Sequence, residues 1–272
     1  MDQKLIDKAL TRAVNGGTSG FLAMTGQVCS MMWIRTIINY QYRHGGDFLA
    51  TGRILYAEGK IPRFYRGIQF ALLQAPLSRF GDTAMNMGAM TLLENSDMSI
   101  AEKTFIGSTG AGLWRASINP IDTLKSSLQV NGKEGVQLIK DKVRMNGIGV
   151  LYNGGAAAMV STMAGHFPWF FTYNYLDNRY PRENYAGMDM VLRSAGIGFL
   201  SSGASDISSN IFRIVKVNKQ TQLMETSYLA IFKTIIAKEG VVGGFTRGLK
   251  TKLISNGIQG MVFTVMFDYF RG

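Results

Sequence analysis

Long stretches of small and apolar residues alternate along this chain with short amphipathic ones, and Gly, Ser, Asn and single charges interrupt every long stretch. The first long stretch runs roughly from Leu10 to Tyr42, and others begin after Gly67, Gly154 and Gly248 and run to about Glu94, Tyr180 and Arg271. Further long stretches carry Gly107, Gly110 and Gly112, and then Gly196, Gly198, Gly203 and Ala204, at spacings that let helices approach closely. The short stretches are Phe48 to Ala57, Gly135 to Met145 and Ser227 to Lys238. In the last, Leu229, Ile231, Phe232, Ile235 and Ile236 fall near helical spacing while Lys233 and Lys238 lie elsewhere on the turn, which predicts a surface helix.

Hydropathy alone does not settle the class of protein. Mean hydropathy is close to neutral, and no segment offers the roughly 18 to 20 clean apolar residues of a simple membrane span. On composition a soluble protein fits better. A helix that lines an aqueous cavity, however, needs only one lipid-facing stripe, because polar residues inside a membrane normally face the bundle interior or water.

Internal repetition decides between these readings. The hexapeptide Pro120-Ile121-Asp122-Thr123-Leu124-Lys125 has a worn copy on either side, in which the same slots hold Ser30, Met32 and Arg35, and Ser208, Asn210 and Arg213. The basic slots lie about ninety residues apart, dividing the chain into units of approximately 1–96, 97–184 and 185–272. A second marker keeps step with the first: Glu58-Gly59 leads to Tyr65-Arg66-Gly67, Asn146-Gly147 to Tyr152-Asn153-Gly154, and Glu239-Gly240 to Phe245-Thr246-Arg247-Gly248.

These paired markers resemble the mitochondrial carrier family, over essentially the whole chain and best in the second unit, as far as Gln129. The resemblance implies an all-α membrane protein with six transmembrane helices, two per unit, around a water-filled cavity, joined by short surface helices. It also implies a matrix-side gate of ion pairs between the acidic and basic slots. Here Arg35, Lys125 and Arg213 keep the basic slots and Asp122 alone keeps an acidic one, so a single standard bridge can form, with Asn210 supplying weaker bonds. Asp206 lies 7 residues before Arg213, on the same helical face, and is the expected additional acid. A second gate, toward the cytoplasm, maps onto Asn86, Asn174, Asp177, Asp268 and Arg271. The aromatic-Gly turns imply anionic lipid, cardiolipin in the family, at Arg66 and Gly67, at Gly154, and at Arg247 and Gly248, with the second site weakened by Asn153.

Substrate contact is expected from residues that break the threefold pattern, because a solute is asymmetric. Arg115 is one, 7 residues before Asp122, and His166 is another. The family's contact levels on the even helices fall on Gln74, Ser161 and Thr162, and Ser255 and Asn256, with Arg79 nearby.

Charge and cysteine content refine this picture only slightly. The net charge of +11 would suit nucleic acid, but no zinc spacing, aromatic RNA-binding signature or contiguous basic run supports that partner. The basic residues cluster near helix ends instead, Lys250 and Lys252 among them, as suits anionic headgroups. The one cysteine, Cys29, excludes an internal disulfide. Met1 to Leu10 lacks an apolar signal core and an Arg-rich presequence. With only two histidines, His44 and His166, and no metal-spaced cluster, phosphate loop or nucleophile elbow, neither a metal, a cofactor nor an enzymatic step is expected.

The expectation is therefore a monomeric, multi-pass carrier of the mitochondrial inner membrane that moves a small anionic or zwitterionic metabolite by alternating access. Another organellar membrane, such as that of a peroxisome or plastid, is the alternative location. The worn gate motifs keep a second reading open, a transport-inactive membrane scaffold or insertion factor on the same fold.

Overall fold

The computed structural model describes residues 25–259, and every regular element among them is helical. In order these are α1 (residues 25–44), α2 (Phe48–Phe64), α3 (Ile68–Leu92), α4 (Ile100–Ser117), α5 (Asn119–Asn131), α6 (Glu134–Asn146), α7 (Gly155–Arg179), α8 (Gly187–Thr221), α9 (Tyr228–Thr246) and α10, described over 249–259. The short stretches expected as surface helices are α2, α6 and α9.

Local chemistry places the boundaries. The Asp47 carboxylate accepts from the backbone N–H of Leu49 at 2.7 Å and of Ala50 at 3.0 Å to start α2, and Ser99 and Glu102 form a reciprocal capping box at the start of α4. Pro120 sits in the first turn of α5, where its missing N–H costs nothing, and the chain breaks from α4 at Ile118. At the serines that the sequence reading aligned with Pro120 no break occurs. The hydroxyls of Ser30 and Ser208 instead donate to the carbonyls of Gly26 at 3.0 Å and Ala204 at 2.9 Å, inside continuous helices.

The second marker has a backbone meaning. α2 and α9 contain non-helical breaks at Gly59-Lys60 and at Gly240, and Gly147 ends α6. Gly67, Gly154 and Gly248, at φ +84°, +91° and +68°, turn the chain into α3, α7 and α10. A Cβ on Gly67 or Gly154 would stand 3.2 Å from the carbonyl oxygen of Lys125 or Lys216, and one on Gly248 would meet the Tyr42 ring at 2.9 Å. Left-handed φ and close approach together make other residues costly at these turns.

The largest apolar cluster lies where the C-terminal parts of α1, α5 and α8 converge over α9. It holds Ile34, Ile38 and Tyr42 of α1, Val130 of α5, Ile211, Ile214 and Val217 of α8, and Ile231 and Ile235 of α9. Farther along, α7 packs against α8, α3 against α4 and α4 against α7. Gly107, Gly110 and Gly112 of α4 admit Asn86, Met85 and Met159 to close contact, whereas Gly196 and Gly198 of α8 meet nothing within 4 Å among the described residues. Among the described residues no helix is long and apolar enough to cross a membrane.

Candidate functional site

Asp122 is the hub of a buried ion cluster at the ends of α5 and α8. It is 4% exposed and accepts from Lys125 Nζ at 2.6 Å, Lys216 Nζ at 2.8 Å and Gln220 Nε2 at 3.0 Å. Lys125 also donates to Gln74 Oε1 of α3 at 2.9 Å. One carboxylate thus serves two ammonium groups, and the surrounding amides complete the hydrogen bonding that a buried charge requires.

This geometry corrects the expected third copy of the hexapeptide. Asn119, just before Pro120, donates to the carbonyls of Leu151 at 3.0 Å and Asn153 at 3.1 Å. Asn210 donates to those of Phe245 at 2.8 Å and Arg247 at 3.1 Å, so it matches Asn119 and ties α8 to the turn before α10. Counted from there, Arg213 takes the place of Asp122, Lys216 that of Lys125 and Gln220 that of Gln129. The first copy keeps its register, since Gln129 Nε2 meets Met32 Sδ at 3.4 Å much as Gln220 meets Asp122. The spacing Pro120 to Gln129, repeated from Ile211 to Gln220, was the signal available in the sequence.

With a cation in an acidic slot, charge balance is found elsewhere. Arg213 pairs with Asp206, one face of α8 as expected, and Asn256 of α10 donates to the same carboxylate. Arg35 is held by the side-chain oxygens of Gln27 and Gln259, both at 3.0 Å, with no carboxylate among the described residues. Ser255 is fully buried and accepts from Gln259 Nε2 at 2.5 Å.

Beside the ion cluster opens a polar cavity of about 320 Å³ between α3, α4, α5, α7 and α8. Gln74, Arg79, Arg115, Ser161, Thr162 and His166 line it, with Asp82, Asp122, Ser205, Arg213 and Lys216. Arg115 is not free, because Asp82 of α3 takes it bidentately, a partner the sequence reading missed. The Nδ1 of His166 lies 2.9 Å from Ser108 Oγ, and Thr162 donates back to the Ala158 carbonyl at 3.0 Å. Arg79 reaches the cavity with no hydrogen bond or ion pair among the described residues.

Below the ion cluster three cations cap the helices that converge there. Arg63 of α2 donates to the carbonyls of Gln129 and Val130, both at 2.8 Å, at the end of α5, and to Glu58 at 2.6 Å. Lys142 of α6 donates to Lys219 O at 3.2 Å at the end of α8. Arg247 donates to Tyr42 O at 3.2 Å and Arg43 O at 3.3 Å at the end of α1, and pairs with Glu239. Each places positive charge where helix carbonyls lack partners. Burial under α8, with Lys219 adding to it and Glu225 opposing, lowers the Lys142 ammonium pKa to about 8.

The lipid expectations change accordingly. Arg247 is buried and its guanidinium is occupied, so it cannot also grip a headgroup. At Gly154 the backbone N–H already faces the Tyr228 hydroxyl at 3.1 Å, with Lys219 over that ring. Gly248 leads the same occupied turn, while Arg66, half-buried beside Gly67 and Gly132, stays available.

The second gate does not assemble among the described residues. Asn86 packs on Gly107 of α4, and Asn174 lies in an apolar groove with Phe167, Phe171 and Tyr175 on the outside of α7. Asp177 pairs with Arg193 of α8 at 2.6 Å, a cation the sequence reading did not single out. Asp268 and Arg271 lie outside the described residues. Lys252, expected at a headgroup surface, instead stands within electrostatic range of Asp206, Arg213 and Arg35.

Comparison with known proteins gives this architecture a family. A thiamine pyrophosphate carrier of Lodderomyces elongisporus is 26% identical over 60% of this chain and 57% of its own. A mitochondrial adenyl nucleotide antiporter of Xenopus laevis is 25% identical over 85% of this chain and 52% of its own. A thiamine pyrophosphate carrier of Candida albicans is 25% identical over 70% of this chain and 66% of its own. The chain therefore spans between about half and two thirds of these relatives. A family model described as mitochondrial carrier protein matches residues 96–184 and again 189–272, more than half of the sequence, and the chain belongs to that family.

Proposed function

We propose that the chain is a solute carrier of the mitochondrial inner membrane that moves a small anionic metabolite by alternating access through the cavity between α3, α4, α5, α7 and α8. In this reading three units of about ninety residues supply six membrane-crossing helices. Length supports it: 25 residues in α3 and in α7 extend about 37 Å at 1.5 Å per residue, more than the roughly 30 Å hydrocarbon core. Their low hydropathy then follows from the faces they turn to a wet, charged cavity.

The observation that carries the proposal is the charge of that cavity, whose lining among the described residues has four cations, Arg79, Arg115, Arg213 and Lys216, against two carboxylates, Asp82 and Asp122. An uncompensated excess of buried positive charge is costly until hydrated or met by an anion. The relatives named for thiamine pyrophosphate and adenyl nucleotides bear anionic cargo too. Cardiolipin at Arg66 and Gly67 is the proposed lipid partner, with the chain acting as a monomer. The test is uptake from a metabolite library by liposomes holding the purified protein. Accumulation of an anion above protein-free liposomes, lost on Lys125→Ala, is expected.

A transport-inactive scaffold is the second reading, favoured by Met32 and Arg213 in the two other acidic slots. It expects Arg115→Ala and Lys125→Ala to leave function intact and no library compound to accumulate.

A further inference from the structure

Resting on the carrier reading, we infer that the cargo is a compact anion with two or more carboxylate or phosphate groups and no aromatic ring, and that Arg79 sets this specificity. The argument begins with what the cavity wall lacks. Among the described lining residues the largest aliphatic side chain is that of Ala158, and the one ring is His166, whose Nδ1 is engaged by Ser108. Most ligand sites are lined predominantly by apolar and aromatic side chains that bury the ligand's own apolar surface. A nucleobase or thiamine-like ring gains binding energy by stacking on such partners. Among the described lining residues it would find the His166 ring alone to stack on.

Size points the same way. A cavity of about 320 Å³ is at the lower end of the roughly 300 to 1,000 Å³ typical of ligand sites.

The cations supply the positive half of the argument. Arg115 is spent on Asp82 and Arg213 on Asp206, whereas Lys216 shares Asp122 with Lys125. Among the described residues Arg79 has no partner, and it projects from α3 while Lys216 projects from α8. One anionic group can take the Arg79 fork bidentately. A second can take the ammonium that Asp122 only half satisfies. Ser161, Thr162, Ser205 and Gln74 provide hydroxyl and amide contacts suited to a hydrophilic body. A ligand with one charge would leave one of these cations unmet.

The experiment uses liposomes holding the purified full chain and measures uptake of labelled succinate, citrate, phosphate, ATP and thiamine pyrophosphate, each with and without unlabelled competitor. Succinate or citrate should accumulate, and ATP and thiamine pyrophosphate should neither accumulate nor compete; uptake of phosphate but of neither succinate nor citrate overturns the two-group requirement. Arg79→Ala should raise the concentration for half-maximal uptake at least about tenfold, and Arg79→Lys should recover part of it, with unchanged helical circular dichroism showing that both variants fold. Preferential uptake of ATP or thiamine pyrophosphate overturns the inference and leaves the carrier reading standing. Uptake of none of the five by folded protein overturns both. An Arg79→Ala variant that transports succinate or citrate as the parent does overturns the role of Arg79.

Discussion

The ion cluster around Asp122 and the belt of capping cations a turn or two below it have diverged to different degrees. In the belt, Arg63, Lys142 and Arg247 do one job in three places, each donating to carbonyls at the end of a neighbouring long helix. In the cluster, the three acidic slots hold a methionine, an aspartate and an arginine, and one carboxylate answers two lysines. The belt satisfies backbone carbonyls, which every helix end presents whatever the chain carries. The cluster meets side chains and cargo, whose charge can change. Backbone chemistry therefore keeps the threefold pattern and side-chain chemistry loses it.

Substitutions can break that contrast in graded steps. Asp122→Ala leaves Lys125 and Lys216 buried together without an anion and should cost about 3 to 5 kcal/mol, measured by thermal unfolding in detergent. Arg63→Ala strips two carbonyls and Glu58 of their donor and should cost about 2 to 3 kcal/mol, so the belt is expected to be nearly as important to stability as the cluster. Asn210→Ala, if the residue only ties α8 to a turn, should cost about 1 to 2 kcal/mol and leave uptake per folded protein unchanged; a selective loss of uptake would return it to the gate.

Lys142 allows a test by pH, because it is the one of the three capping cations that can lose its proton in an accessible range. Its folded pKa of about 8 lies below the usual value of 10.5. Between those values the unfolded chain binds more protons, so stability should rise from pH 8 toward 10.5 and the penalty should be complete below pH 8. Lys142→Met should flatten that rise in a melting-temperature series, while Arg63→Ala should not.

The hexapeptide at Pro120, the surface helices and the glycine turns were legible because each rests on local backbone chemistry. Lys216 was not, because Arg213 and Lys216 are three residues apart and share a helix face, so periodicity cannot say which belongs to the cluster. The Gln129 and Gln220 match would have resolved it. Asp82 was hidden because its partner, Arg115, lies on the next helix and nothing in sequence order links them. Arg247 was misread for a related reason. Beside a glycine turn a cation suits a headgroup or a helix end equally, and only the approach of Tyr42 O and Glu239 decides.

The most direct test of the whole account is uptake of a labelled small dianion by liposomes holding either the parent protein or Lys216→Gln, both shown to be folded. The account expects the parent to accumulate the anion above protein-free liposomes and Lys216→Gln to lose most of that uptake. Equal uptake by both proteins, or none by a parent that melts cooperatively, would contradict it.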